Sequence, residues 1–320
     1  MNRDRVGVVF GSLTPPETLI RSARLAEQLG IQELWFSEDC FFTGGFSGLT
    51  QLLASTERAR AGLGLVSVLT RHPAVLAMET AGMARMYPGR VRIAVGLGNT
   101  HWLDQMGLTA RRPLTTVLET FDALRDLLHG AELDKRTDAH RFARIGLEFL
   151  PEVQPELWIG AVNARALRAA GRADGVLLSA LSGESYIFWA KQQIGTDAPR
   201  PPRITAYVLA SIDDDEHVAR NAVRDAVGFF LTAEAHSALV GQSRFETEVR
   251  SRVASLAPNE RLAVEDEWLD EFAVAGTPAQ VRNRLEGLLS AGADSVGLWL
   301  FPSGDHDRQL RRLAELSGGT

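Results

Sequence analysis

Short, nearly unbroken apolar runs recur along the chain and alternate with segments of helical period. The runs are 5–11 (RVGVVFG), 33–37 (ELWFS), 61–68 (AGLGLVSV), 90–97 (RVRIAVGL), 156–161 (ELWIGA), 175–180 (GVLLSA), 203–212 (RITAYVLASI) and 294–301 (DSVGLWLF). A strand covered on both faces reads this way, because neither face meets water. Between the runs, Leu19, Ala23, Ala26 and Leu29 fall three or four apart over 15–29, and Leu114, Val117, Phe121, Leu124 and Leu128 form one stripe over 113–128. Helix starts are marked by Pro15-Pro16, by His72-Pro73, and by Thr277-Pro278-Ala279-Gln280, a capping box with proline at the first helical position. Gly30 and Gly130 stand where the two striped helices should stop.

Eight strands, each followed by a helix, predict an α/β fold with a single (β/α)8 barrel domain over 1–320. The rival is an open doubly wound sheet; a last strand followed by one helix, 305–316, favours the barrel. Two stretches exceed the minimal unit. Residues 131–155, with RFARIGLEFL at 141–150, predict a short hairpin insertion, and 213–275 predict a helical insertion before the last βα pair.

Composition removes several function classes. At 45% hydrophobic and 23% charged the chain is neither disordered nor fibrous. Its one cysteine, Cys40, excludes a disulfide framework and a CxxC zinc site, and its seven histidines show no HxH or HxxxH spacing, so no metal is expected. A net charge of −6 with no basic stretch argues against nucleic acid. No apolar run approaches the ~20 residues of a membrane span. Met1-Asn2-Arg3-Asp4-Arg5 leads straight into the first strand with no apolar leader, so the expected location is the cytoplasm. Of the 34 basic residues only Lys135 and Lys191 are lysine, a bias that reads as GC-rich coding sequence.

In such a barrel the chemistry sits at the C-terminal strand ends. Glu38-Asp39 follows the second strand; neighbours there point opposite ways, so one carboxylate faces the mouth as an acid, base or substrate partner. Helix capping or an arginine salt bridge is the competing role. His72 either handles protons or shapes its helix start, and Cys40 reads as structural. Gly96-Leu97-Gly98 lacks the third glycine of a dinucleotide fingerprint; close approach of a flat ring to the backbone explains it better. Asn163 is a good N-cap, at a helix start whose free N–H groups suit a phosphate. Trp35, Trp102, Trp158 and Trp299, on or near strand ends, point to an aromatic-lined mouth.

The run LVSVLTRHPAVLA at 65–77, Met86-Tyr87-Pro88-Gly89-Arg90-Val91 and Gly96-Leu97-Gly98 together resemble the luciferase-like monooxygenase superfamily. Supporting pieces are Trp35-Phe36-Ser37-Glu38-Asp39, the run AGRADGV at 170–176 and Ala275-Gly276-Thr277-Pro278. The pattern is most similar to the coenzyme F420-dependent branch, which includes methylenetetrahydromethanopterin reductase and sugar-phosphate dehydrogenases. The resemblance implies a barrel that binds a flavin or deazaflavin at its C-terminal mouth and exchanges hydride between the deazaflavin C5 and a small organic substrate. It implies a non-prolyl cis peptide after the third strand, placed at Ser67-Val68. It implies cofactor contacts from Ser67, Val68, Leu69, Gly96, Gly98 and Asn99, phosphate contacts from Ala161, Val162, Asn163 and Ala164, and a homodimer. Arg71, Arg111, Arg112 and Arg165 are candidates for the anionic tail of F420.

The departures are informative. Where the sugar-phosphate branch has histidine this chain has Asp39, and Asn99 replaces a glutamate common after the strand-four glycines. Asp39, Glu38 and His72 are therefore the candidates for proton handling. Two alternatives stay open on the sequence: an FMN-dependent monooxygenase using O2, and a non-catalytic flavin-binding homologue. An aldolase-like barrel is disfavoured, since Lys135 and Lys191 both lie off the predicted strands.

Overall fold

The computed structural model describes residues 3–11, 13–195, 201–257 and 260–316. Its strands are β1 (Val6–Gly11), β2 (Glu33–Ser37), β3 (Arg60–Ser67), β4 (Val91–Gly96), β5 (Leu133–Arg136), β6 (Arg141–Ile145), β7 (Glu156–Gly160), β8 (Gly175–Leu178), β9 (Arg203–Ile212), β10 (Ala273–Gly276) and β11 (Ser295–Leu300). The first helices are α1 (Leu19–Gln28), α2 (Gly45–Ser55), α3 (Pro73–Met86), α4 (Thr100–Gln105), α5 (Pro113–Leu128), α6 (Ala164–Ala170) and α7 (Glu184–Ile194). The remainder are α8 (Glu216–Glu234), α9 (Ala238–Gly241), α10 (Glu246–Ala254), α11 (Asp266–Phe272), α12 (Pro278–Ala291) and α13 (His306–Glu315).

All eight predicted strands are present and parallel, in the order β11-β1-β2-β3-β4-β7-β8, and β9 closes the ring by pairing with both β8 and β11. The fold is a (β/α)8 barrel. β5 and β6 form the expected antiparallel hairpin. One strand was not foreseen: β10 lies inside the segment read as helical and adds to the far half of β9, Ala273 to Gly276 beside Leu209 to Ile212. Four small residues between helices carry too little period to announce a strand. No helix among the described residues is long and apolar enough to cross a membrane.

Side-chain parity fills the barrel in layers. On β2, Leu34 and Phe36 face the helices, and α2 sits flush on Phe36 because Gly48 offers no Cβ. Glu33, Trp35 and Ser37 face inward. Near the N-terminal end Arg92, 2% exposed, pairs with Glu33 at 2.9 Å and Glu156 at 3.0 Å. Its guanidinium lies 5.8 Å from the Trp35 ring and 5.6 Å from that of Trp158. Burial alone would push the Glu33 carboxyl up, but Arg92 with donors from Trp35 and Ser295 holds it below its ordinary value. One layer higher, Trp35 meets Trp158 edge-on at 5.3 Å and Tyr207 at 5.9 Å. These rings plug the barrel interior. Trp35 and Trp158, expected at the mouth, are both fully buried beneath it; inward parity at a strand's midpoint, not its end, decides this.

Candidate active site

The mouth begins at an irregularity in β3. The pairing of β3 with β4 shifts register between Gly64 and Val66, and the Gly64-Leu65 peptide is cis. The non-prolyl cis bond expected at Ser67-Val68 therefore lies three residues earlier, inside the strand. Ser67 and Val68 instead continue the ladder, with Ser67 beside Gly96 and Val68 N donating to Gly96 O at 2.9 Å. The bulge turns two consecutive residues into the barrel. The inward direction at Gly64 is filled by the Tyr207 hydroxyl and a Leu177 methyl, while the Leu65 methyls occupy the space over Gly96 and Gly160. A Cβ on Gly96 would stand 2.7 Å from Leu65 Cδ2, and one on Gly160 would collide with the same methyl. The glycine of the strand-four motif thus receives a side chain of its own protein, and the half-buried Leu65 forms an apolar floor over Gly96 and Gly160.

Around the floor the loops are knitted together by Ser67. Its hydroxyl donates to Leu97 O at 2.6 Å and accepts from Leu69 N at 3.3 Å, while its carbonyl accepts from Thr70 Oγ1 at 2.9 Å. Gly98, at φ +88°, adopts a backbone closed to most side chains and packs on Ser67. Asn99 caps α4, its Oδ1 accepting from His101 N at 2.9 Å. The residue that departs from the family's glutamate is thus occupied in shaping a helix start.

Glu38 takes both of the competing roles foreseen for it. It receives Arg71 in a two-point ion pair at 2.6 and 3.0 Å and accepts from Gly45 N, at the start of α2, at 2.8 Å. Arg71 also lies 3.4 Å from Glu79 and 5.5 Å from the Phe46 ring centroid. Burial pushes the Glu79 carboxyl up although Arg71 opposes this. Asp39 accepts from Ser37 Oγ at 3.2 Å. The Cys40 thiol is pushed up by burial and by the Glu38 and Asp39 carboxylates, which keeps it protonated and a poor nucleophile.

His72 is held at both ring nitrogens. Nδ1 accepts from Ala74 N at 3.2 Å and caps α3, which leaves Nε2–H to donate to Arg141 O at 3.2 Å. The ring also touches Phe142 and His140 of the hairpin, at 5.2 and 5.6 Å. Of the two roles read from the sequence, the geometry displays the helix start. Asn163 occupies the N-cap position of α6 but makes no cap there; its Oδ1 accepts from Ala238 N, at the start of α9, at 3.0 Å. Among the described residues, the first amides of α6 consequently have no side-chain acceptor.

Two cavities are formed by loops that follow the barrel strands. One, of about 640 Å³, is lined by the loop after β3 including Val68, Leu69 and His72, by Arg111 and Arg112, and by the hairpin tip at His140. The other, of about 450 Å³, lies by Asn163, Ala164, Arg165 and His236. Of the residues singled out after the third and fifth barrel strands, Val68 and Leu69 line the first cavity and Asn163 and Ala164 the second. No cluster of three or more metal-ligating side chains occurs among the described residues.

Sequence reasoning missed Tyr207. Its hydroxyl is buried without a hydrogen-bond partner, directly under Gly64. Burial, reinforced by the charges of Glu33 and Asp39, raises it well above its ordinary value. The available signal was parity: 205, 207 and 209 share the inward face of β9, so a tyrosine at its centre belongs to the interior.

Comparison with known proteins agrees with this fold. The chain is 26% identical over 302 residues to 5,10-methylenetetrahydromethanopterin reductase of Methanolobus tindarius, covering 91% of this chain and 92% of that one. It is 25% identical over 323 residues to F420-dependent glucose-6-phosphate dehydrogenase of Nocardia farcinica, covering 94% and 91%. The solved coenzyme F420-dependent tetrahydromethanopterin reductase of Methanopyrus kandleri superposes with a TM-score of 0.80 at 21% identity, over 97% of each chain. The family profile described as luciferase-like monooxygenase matches residues 4–295, and the chain belongs to that family.

Proposed function

We propose that the chain is a coenzyme F420-dependent oxidoreductase, a reductase or dehydrogenase that acts on a small organic molecule at the barrel mouth. The relatives' names supply the cofactor class. The observation that carries the reading is the floor: the Leu65 side chain laid over Gly96 and Gly160 gives a planar ring an apolar surface to rest on.

The residues around the floor are placed to surround the rest of such a cofactor. Ser67, Val68, Leu69, Gly98 and Asn99 would border the ring, with Gly96 acting through Leu65. Ala161, Val162, Asn163 and Ala164 would hold a phosphate at the amides of α6 that no side chain caps. Arg165, for which no ion pair occurs among the described residues, stands beside them for an anionic tail. When bound, a deazaflavin supplies a ring carbon that carries hydride and does not usefully activate O2.

The chain's own work is orientation and proton handling. Glu38 and Arg71 fix the loops after β2 and β3 relative to each other. Asp39 would hold the proton exchanged with substrate at its carboxylate, steadied by Ser37 Oγ. Arg71 holds the surrounding charge fixed between two carboxylates.

We further propose that the enzyme works in the cytoplasm as a homodimer. Val75, Met78 and Met86 are exposed along α3, and Phe149 and Val153 are exposed in the segment after the hairpin. Arg85 of α3 joins the two stretches, donating to Leu150 O at 2.8 Å and stacking on Phe149. A second copy would cover this apolar face.

Oxygen uptake during turnover tests the reading. Reduced F420 should be consumed on addition of substrate with no O2 consumed; obligatory O2 consumption with reduced FMN overturns it in favour of a monooxygenase.

A further inference from the structure

Resting on that reading, the charges and exposed side chains of the mouth bear on the class of substrate. The loops after β1, β2 and β4 open at the same end of the barrel as the Leu65 floor. The first two deliver large apolar side chains into water, Leu13 at 53% exposed, Phe41 at 65% and Phe42 at 52%, and the third brings the half-buried Trp102 of α4. Phe42 and Trp102 meet edge-on with centroids 6.4 Å apart. Their loops follow β2 and β4, and β3 lies between these in the sheet, so the aromatic pair bridges the exit of the strand that carries Leu65.

The charge at this place opposes anions. Arg71, the cation of the intervening loop, lies against Glu38 at 2.6 Å and Glu79 at 3.4 Å. Asp39 adds a third carboxyl on the loop that carries Phe41 and Phe42. A phosphate or carboxylate on the substrate would meet carboxylates there, with the guanidinium already satisfied. Arg111 and Arg165 line the two cavities, whose linings include neither Phe42 nor Trp102.

We propose that the site selects a flat, uncharged apolar substrate, received between the Phe42–Trp102 pair and the cofactor ring, and that Phe42 and Trp102 determine this specificity. Aromatic faces reward planar apolar bodies beyond the area they bury. Among the described residues, the one arginine of this edge, Arg71, is already paired with Glu38 and Glu79 and is not free for a sugar phosphate.

The test is calorimetric titration of the full chain loaded with F420, using 2-methyl-1,4-naphthoquinone as the neutral probe and glucose 6-phosphate as the anionic one. The quinone should bind at least about tenfold tighter than the sugar phosphate, and Phe42→Ala or Trp102→Ala should weaken it about tenfold with F420 affinity unchanged. Tighter binding of the sugar phosphate, or binding of neither probe, overturns the proposal. So does a change in oligomeric state in the two variants with quinone affinity intact, which would make the pair a contact between copies. If F420 itself does not bind, the cofactor reading falls and this proposal with it; F420 bound with the quinone weaker than the sugar phosphate overturns the proposal alone.

Discussion

The Arg71 guanidinium lies along the Glu38 carboxylate in a two-point ion pair, Nη1 to Oε1 at 2.6 Å and Nη2 to Oε2 at 3.0 Å. The pair ties the loop after β2 to the loop after β3, and the third bond of Glu38, from Gly45 N, extends the tie to α2. Glu38→Gln keeps the shape and removes the charge. It should cost about 2 kcal/mol of stability and loosen the mouth, so F420 affinity falls along with turnover. Thermal melting and cofactor titration of the variant check this; unchanged values in both would leave Glu38 without the positioning role.

The floor makes a sharper prediction. Gly160→Ala places a methyl where a Leu65 methyl already sits, and should cost about 1–3 kcal/mol. Leu65→Ala in the same chain removes the obstacle, so the double variant should be more stable than the sum of the two single losses. Denaturant unfolding of the four proteins gives the coupling. Simple additivity would mean that Leu65 does not rest on Gly160.

Asp39 carries the proposed proton chemistry. Asp39→Asn should lower kcat about 10²–10⁴-fold while leaving cofactor affinity within about threefold, a gap of about 0.65 kcal/mol. Steady-state kinetics alongside cofactor titration separates the two effects. Full activity in the variant would move the role elsewhere.

Acid stability follows from the buried pair at the other end of the barrel. The folded-state value of Glu33 lies below its ordinary 4.5. Its contribution is therefore fully present above that ordinary value and is lost as pH falls through the lower, folded one. Glu33→Gln should destabilise by about 3 kcal/mol at pH 7, because it leaves the buried Arg92 with Glu156 as its one remaining carboxylate among the described residues. The difference in melting temperature between wild type and variant should shrink as the pH is lowered. A difference that stays constant down to pH 3 would exclude the ion pair as its source.

The barrel was legible because its signal is repeated eight times: each buried parallel strand reads as an apolar run, and Pro113 and Thr277 start helices where the sequence places them. Short or contact-dependent features were not. β10 is four residues long, and Asn163 serves α9 in place of its own helix because the chain folds back beside it. The bulge at Gly64 depends on Tyr207, Gly96 and Gly160, which come from three other strands. Local spacing carries no record of such neighbours. The carboxyl pair shows the same limit: the sequence narrows Glu38 to a few roles, and only Arg71, thirty-three positions later, selects among them.

The central claim is the cofactor, and fluorescence titration of the full chain with F420 and FMN side by side tests it most directly. F420 should bind at least tenfold more tightly than FMN, a gap of about 1.4 kcal/mol, and Arg165→Ala should narrow that gap. Binding of FMN alone, or of neither compound, would contradict the account.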